Sequence, residues 1–311
     1  MFGFFKGKKE NIVVPEWANF FTSSEYRKFI DLITDYFKTQ GEKIVIEDGV
    51  AIIPGKEKGY GQYGLQNISQ RCRQYEQKDW KELVFGHFDA MYQGEKFMEE
   101  FNKKVDHYEQ IKQYLGVRIY NTEYQKLAQK IEPVKRDIAQ DVVAMLVYDL
   151  PTTVMNVQAE HPAKWGKSID ELFEVGLKNI RDNYEVDFRV NDSPGFPIWF
   201  ATSEHFFTLN VALEMERNSN ILGVKGALVG LPNRHTAVFH PINNLDVVKA
   251  VNVMIPVINR MYNEGPGSVS PNLYWYINGD FIQIPYKLTE NSLQVSPPNR
   301  FAELLNELGN G

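Results

Sequence analysis

The chain is poor in cysteine, in long apolar runs, in positive charge and in local catalytic signatures, and each shortage closes a class of protein. Cys72 is the only cysteine among 311 residues, so an intramolecular disulfide and a multi-cysteine zinc or iron–sulfur site are excluded. No apolar run approaches the roughly 20 residues that span a bilayer. The opening Met1-Phe-Gly-Phe-Phe-Lys-Gly-Lys-Lys9 places its basic residues after a very short apolar stretch, the reverse of a secretory signal. It reads as a loose terminus or a weak surface anchor, and the expected location is cytoplasmic. The formal net charge is −6. Residues 1–140 hold 22 basic and 21 acidic side chains, residues 141–311 hold 12 and 19. An acidic second half argues against a phosphate-neutralising groove there, and no nucleic-acid partner is expected. No P-loop, no G-x-S-x-G elbow and no H-E-x-x-H pair occurs.

What is present is ordinary globular material, 43% apolar and 24% charged, with 16 Tyr and 20 Phe to supply large apolar surfaces. The length suggests about two domains. In the first half, Thr22-Ser-Ser24 offers hydroxyl caps to a helix reaching Gln40, with Phe29, Ile30, Ile33, Tyr36 and Phe37 on one face and Gly41 at its end. Two β-branched runs flank Asp48-Gly49, a hairpin signal. A glycine-rich loop, Gly59-Tyr-Gly-Gln-Tyr-Gly64, leads to a helix over Leu65–Tyr75. Further helices are expected from Asp79 and over Glu95–Leu115.

From Gly116 the texture changes. β-rich runs at Val117–Tyr120, Val142–Tyr148 and Thr152–Val157 precede a helix capped by Ser168. Strands are expected at Tyr184–Val190 and Ile198–Ala201, a helix over Ser203–Glu214, a hairpin turned at Pro232-Asn-Arg-His235, a helix over Asp246–Tyr262 that contains Pro256, a hairpin at Asn278-Gly279 and a terminal helix. The expected fold class is α+β. Residues 1–115 form a helix-rich region with one hairpin, and residues 116–311 form antiparallel hairpins alternating with helices packed on one sheet face. The hairpins argue against a doubly wound parallel sheet, whose consecutive strands need helical crossovers.

The runs Asp141-Val-Val-Ala-Met-Leu-Val-Tyr-Asp-Leu-Pro151, Trp165-Gly-Lys-Ser-Ile-Asp-Glu-Leu-Phe173 and Asn179-Ile-Arg181 resemble the YtpQ-like family of bacterial proteins. So does the later order of helix, hairpin at Pro232–His235, long helix and hairpin at Asn278-Gly279. The resemblance covers about residues 117–290. It implies the same fold and a bacterial cytoplasmic origin; the family has no established activity, so it carries over no functional residue.

Gly59-x-Gly61-x-x-Gly64 has the letters of a dinucleotide fingerprint, and a nucleotide at Gly59–Gly64 is one alternative function. The mechanism, however, needs a preceding strand and a helix N-terminus aimed at the phosphates. Tyr60 and Tyr63 instead offer a contact surface, together with Gln66 and Asn67 on the amide-rich face of the next helix, since amides both donate and accept. Asn191-Asp-Ser-Pro-Gly-Phe-Pro-Ile-Trp199 adds Phe196 and Trp199 as aromatic anchors of the kind that dominate interfaces. A second alternative is a hydrolase, metal-dependent or not, whose composite site draws on Asp192, Glu204, His205 and His235. Glu185 and Asp187 are expected to share one strand face. Cys72, on a buried stripe, reads as a core residue. The preferred expectation is a non-catalytic protein that binds another protein, with no cofactor and no resident metal.

Overall fold

A computed structural model describes residues 13–56, 61–127, 132–192, 195–289 and 292–310. Two compact units divide between Lys103 and Lys104, ahead of the 115/116 boundary expected from the change in texture.

In the first unit, α1 (Ser23–Thr39) starts at a reciprocal cap. Glu25 N–H donates to Thr22 Oγ1 at 3.2 Å, and Thr22 N–H donates to the Glu25 carboxylate at 2.8 Å, satisfying two donors that a helix start leaves open. Strands β1 (Val45–Glu47) and β2 (Val50–Ile52) pair across Asp48-Gly49, both at positive φ, as a type I′ turn requires. A third strand, β3 (Gln62–Gly64), pairs antiparallel with β2. The expected lone hairpin is therefore a three-stranded sheet. Helix α2 (Gln66–Arg73) follows, then one long helix, α3 (Trp80–Asn102), where two helices breaking before Glu95 were expected. The core gathers Phe29, Tyr36, Phe37, Tyr63, Cys72, Trp80 and Phe88.

The second unit opens with a short helix α4 (Tyr108–Ile111) and a 3₁₀ turn, then β4 (Leu115–Asn121) and α5 (Thr122–Leu127). Residues 112–114 thus run into a strand, not along the expected helix. Strand β6 (Val142–Leu150) pairs with β4 on one edge and with β5 (Lys135–Ala139) and β7 (Thr153–Asn156) on the other, all antiparallel. Helices α6 (His161–Trp165) and α7 (Ile169–Asn183) follow, α7 starting at a Ser168–Glu171 reciprocal cap. Helix α7 lies on β4 where Gly176 meets Gly116; a β-carbon at Gly176 would sit 3.0 Å from the Gly116 carbonyl carbon.

The larger sheet has six strands in the order β13-β12-β10-β11-β9-β8. These are β8 (Asp187–Asn191), β9 (Ile198–Thr202), β10 (Ala227–Asn233), β11 (Thr236–Pro241), β12 (Leu273–Ile277) and β13 (Asp280–Ile284). Helix α8 (Asp246–Glu264) packs against β10, β11 and β12, burying Leu228, Val238, Leu273, Met254 and Ile258 together. A small ribbon, β14 (Tyr286–Leu288) with β15 (Leu293–Val295), precedes α9 (Asn299–Asn310). Antiparallel sheets with helices against them bear out the α+β class.

Residues 203–214 depart from the expected helix and form a 3₁₀ turn at Thr208–Leu213. Phe207, Thr208, Leu209 and Asn210 are buried at four consecutive positions, so no single apolar stripe exists for an α-helix to turn inward. The segment is wedged against β4, β9 and β11.

Candidate functional site

The 3₁₀ wedge roofs a cleft of about 470 Å³, within the size range of small ligand sites. Its walls come from the last turns of α7 (Leu177, Ile180, Arg181), the connection through Tyr184, the start of β8 (Asp187, Phe188) and the wedge itself (Phe207, Asn210, Val211). Asn210 is 6% exposed. Its side-chain amide donates to the Val117 carbonyl at 2.7 Å, while its Oδ1 is buried with no donor among the described residues. Leaving such an acceptor bare costs about 1–3 kcal/mol, and a ligand N–H or O–H in the cleft would recover it.

Charge is arranged around the mouth. Glu214, a cleft residue, is paired with both Arg181 and Arg217, the latter at 2.8 Å. Glu185 and Asp187, also lining the cleft, have no cationic partner among the described ion pairs. Behind the wall, Tyr184 Oη donates to Asp149 Oδ2 at 2.6 Å. Burial pushes the Asp149 carboxyl up, and burial with the neighbouring Asp149 raises the Tyr184 phenol to about 12.

His205 holds this wall in place. Phe207 N–H donates to its Nδ1 at 3.1 Å, so the proton is on Nε2, which donates to the Glu185 carbonyl at 2.9 Å. Burial lowers its pKa, consistent with a neutral ring. His235 has the opposite tautomer. Arg234 Nε, which can only donate, reaches its Nε2 at 3.0 Å, and Nδ1 donates to the Ser203 carbonyl at 3.2 Å. Neither ring keeps a free lone pair for a proton or a metal.

The composite hydrolase site is corrected on this ground and on topology. Asp187 pairs with Thr202 and Asn191 with Ile198, so Asp192 and Glu204 leave opposite ends of a ladder of five residue pairs, ends that lie roughly 13 Å apart at about 3.3 Å per residue. Both are exposed. Among the described residues no three His, Cys, Asp or Glu side chains converge as a metal site.

The glycine loop is corrected as well. Gly59 and Tyr60 lie outside the described residues. Gly61 N–H donates to the Glu95 carboxylate at 3.1 Å and Tyr63 Oη donates to it at 2.6 Å. A carboxylate on the loop's donors is the wrong charge beside a phosphate, and Gln62–Gly64 is an antiparallel strand, not a strand-to-helix turn. Tyr63 is fully buried beside Phe37, ring centroids 5.0 Å apart, so it presents no contact surface; Gln66 and Asn67 remain exposed. Phe196 is likewise buried, in the α8 core and edge-on to His240. Of the expected aromatic contacts among the described residues, Trp199 alone stays half-buried. Cys72 is buried, and burial raises its thiol to about 11.

Asn210, Tyr184 and Phe207 were missed by sequence reasoning. The available signal was Thr208-Leu-Asn-Val-Ala-Leu213, an amide inside an apolar run, where a buried polar side chain needs a reason. Compared with family models, with curated proteins and with solved structures, the chain matches none.

Proposed function

We propose that this is a non-catalytic binding protein of the bacterial cytoplasm, related to the YtpQ-like family, whose second unit receives a segment of a partner protein in the α7–β8 cleft. The observation that carries the reading is the bare Asn210 Oδ1 in a cleft that Leu177, Ile180, Phe188, Phe207 and Val211 line together with charged residues. Such a site favours an apolar group that brings one hydrogen-bond donor. Both nearby histidines have their nitrogens engaged with backbone or arginine, so neither imidazole is free to act as a general base.

The test is selection of peptides from a displayed random library on the full chain, followed by fluorescence anisotropy. Val211→Trp, which fills the cleft, should weaken the selected peptides at least tenfold. Gln66→Ala with Asn67→Ala, in the other unit, should leave them unchanged. Equal affinity for wild type and Val211→Trp would end the cleft reading.

A further inference from the structure

The cleft continues onto the outer strand of the six-stranded sheet, and the register of that sheet says what belongs there. Directly paired residues in adjacent strands share a face. Tyr274 pairs with Val229, Val229 with Phe239, Phe239 with Trp199, and Trp199 with Val190. These five form one row over five of the six strands, and Gln283 on β13 continues it beside Tyr274. The first three are fully buried, Trp199 is half-buried, and Val190 is 43% exposed. A second row on the same face runs through Ala237 and Ala201 to Phe188, which lines the cleft. Both rows stop at β8, where apolar cover gives out. Strand β8 has β9 on one side, and among the described residues no strand on the other. Along Asp187–Val190 its outward N–H and C=O groups face no strand among the described residues.

Resting on the cleft reading, we propose that the partner segment binds as an added strand on the outer edge of β8. An extended peptide there would place residues opposite Phe188 and Val190 on the cleft face and residues opposite Asp187 and Arg189 on the other. The first pair meets apolar surface, one of them beside the cleft. On the second face Asp187 and the nearby Glu185 lack cationic partners, and Arg189 has no carboxylate partner among the described ion pairs. The occupant is therefore a four-residue stretch of alternating type: basic, apolar, acidic, apolar, in that order if it runs parallel to β8 and reversed if antiparallel. Main-chain pairing supplies affinity and the alternation supplies selectivity, as in other strand additions.

The experiment uses the full chain and two labelled peptides, one centred on Lys-Leu-Asp-Val and one on its reverse. One of them should bind. N-methylation of single backbone nitrogens should cost about tenfold at alternate positions, those facing β8, and little at the positions between. Replacing the peptide Lys with Glu should cost roughly threefold, as for an exposed ion pair, and Asp187→Lys should restore it. A flat N-methyl scan, with binding still sensitive to Val211→Trp, overturns strand addition and leaves the cleft standing. Binding that shows the alternating scan but ignores Val211→Trp overturns the cleft. Failure of both peptides to bind, or no rescue by Asp187→Lys, counts against the pattern proposed.

Discussion

The two ends of the six-stranded sheet are built from the same kind of residue and finished differently. At the β12 end, Tyr274 is fully buried and its hydroxyl reaches Asp141, on the turn between β5 and β6. Asp141 also accepts from Ser270 Oγ at 2.6 Å and from the Asn272 amide at 3.0 Å. Burial first, then this carboxylate, push the Tyr274 phenol upward. A polar group at that end has its partners inside the chain. At the β8 end, Trp199 and Val190 carry the same row into solvent, and the nearby buried acceptor, Asn210 Oδ1, has none. Both outer strands, β13 and β8, lack a further strand among the described residues; what differs is that the row is buried with its hydroxyl satisfied at Tyr274, and is exposed beside an unmet hydrogen bond at the β8 end. That contrast within one sheet, and not exposure as such, is why the proposed binding surface is placed at the β8 end.

The contrast is open to direct test. Phe239→Ala, in the middle of the row, should cost about 4 kcal/mol, the transfer and cavity terms together, read from urea unfolding of the second unit. A loss under about 1 kcal/mol would mean the row is not packed as described. Asp141→Ala should cost about 3 kcal/mol by stranding three donors, and Asp141→Asn less, because one acceptor oxygen remains.

Acidification acts on buried histidines and on Asp149 in opposite senses. Burial lowers the pKa of His161, His205 and His240, so below about 6.5 the unfolded chain takes up protons that the folded chain resists. Stability should fall as the pH drops from 7 towards the lowered folded values. Asp149 acts in the opposite sense. Its folded pKa is raised, so its burial costs stability at neutral pH, and that cost is relieved as the pH falls through the folded value. His205→Gln keeps a donor and an acceptor at the cleft wall and should flatten the pH dependence of the melting temperature; an unchanged slope would mean that His205 does not contribute. Smallest of all, Val190→Ala should move stability by no more than about 0.5 kcal/mol, as at an exposed site. A larger loss would mean that something in the chain already covers the β8 end.

Much of the architecture was legible because it is local. Asp48-Gly49 and Asn278-Gly279 both adopt positive φ and turn their hairpins. Ser168 caps α7 as expected, and the strands at Ala227–Asn233 and Thr236–Pro241 lie where their β-rich runs put them. The candidate site was much less legible. Tyr63 and Phe196 sit in glycine- and proline-rich stretches that read as exposed loops, yet neighbouring elements close over both. His205 and His235 were picked for chemistry, and a distant backbone carbonyl together with a near neighbour, Phe207 N–H or the Arg234 side chain, occupies the nitrogens of each. The Ser203–Glu214 stretch has helix-forming residues but four consecutive buried side chains, which no isolated helix would show.

Turn chemistry, helix caps and alternating apolar runs are written within a few residues of where they act, so the order and hand of the hairpins could be read along the chain. Which side chains meet across β4, β8 and the 208–213 wedge depends on pairing between segments tens of residues apart. That pairing left Asn210 Oδ1 without a donor among the described residues, buried the row at Tyr274 and left it exposed at Val190.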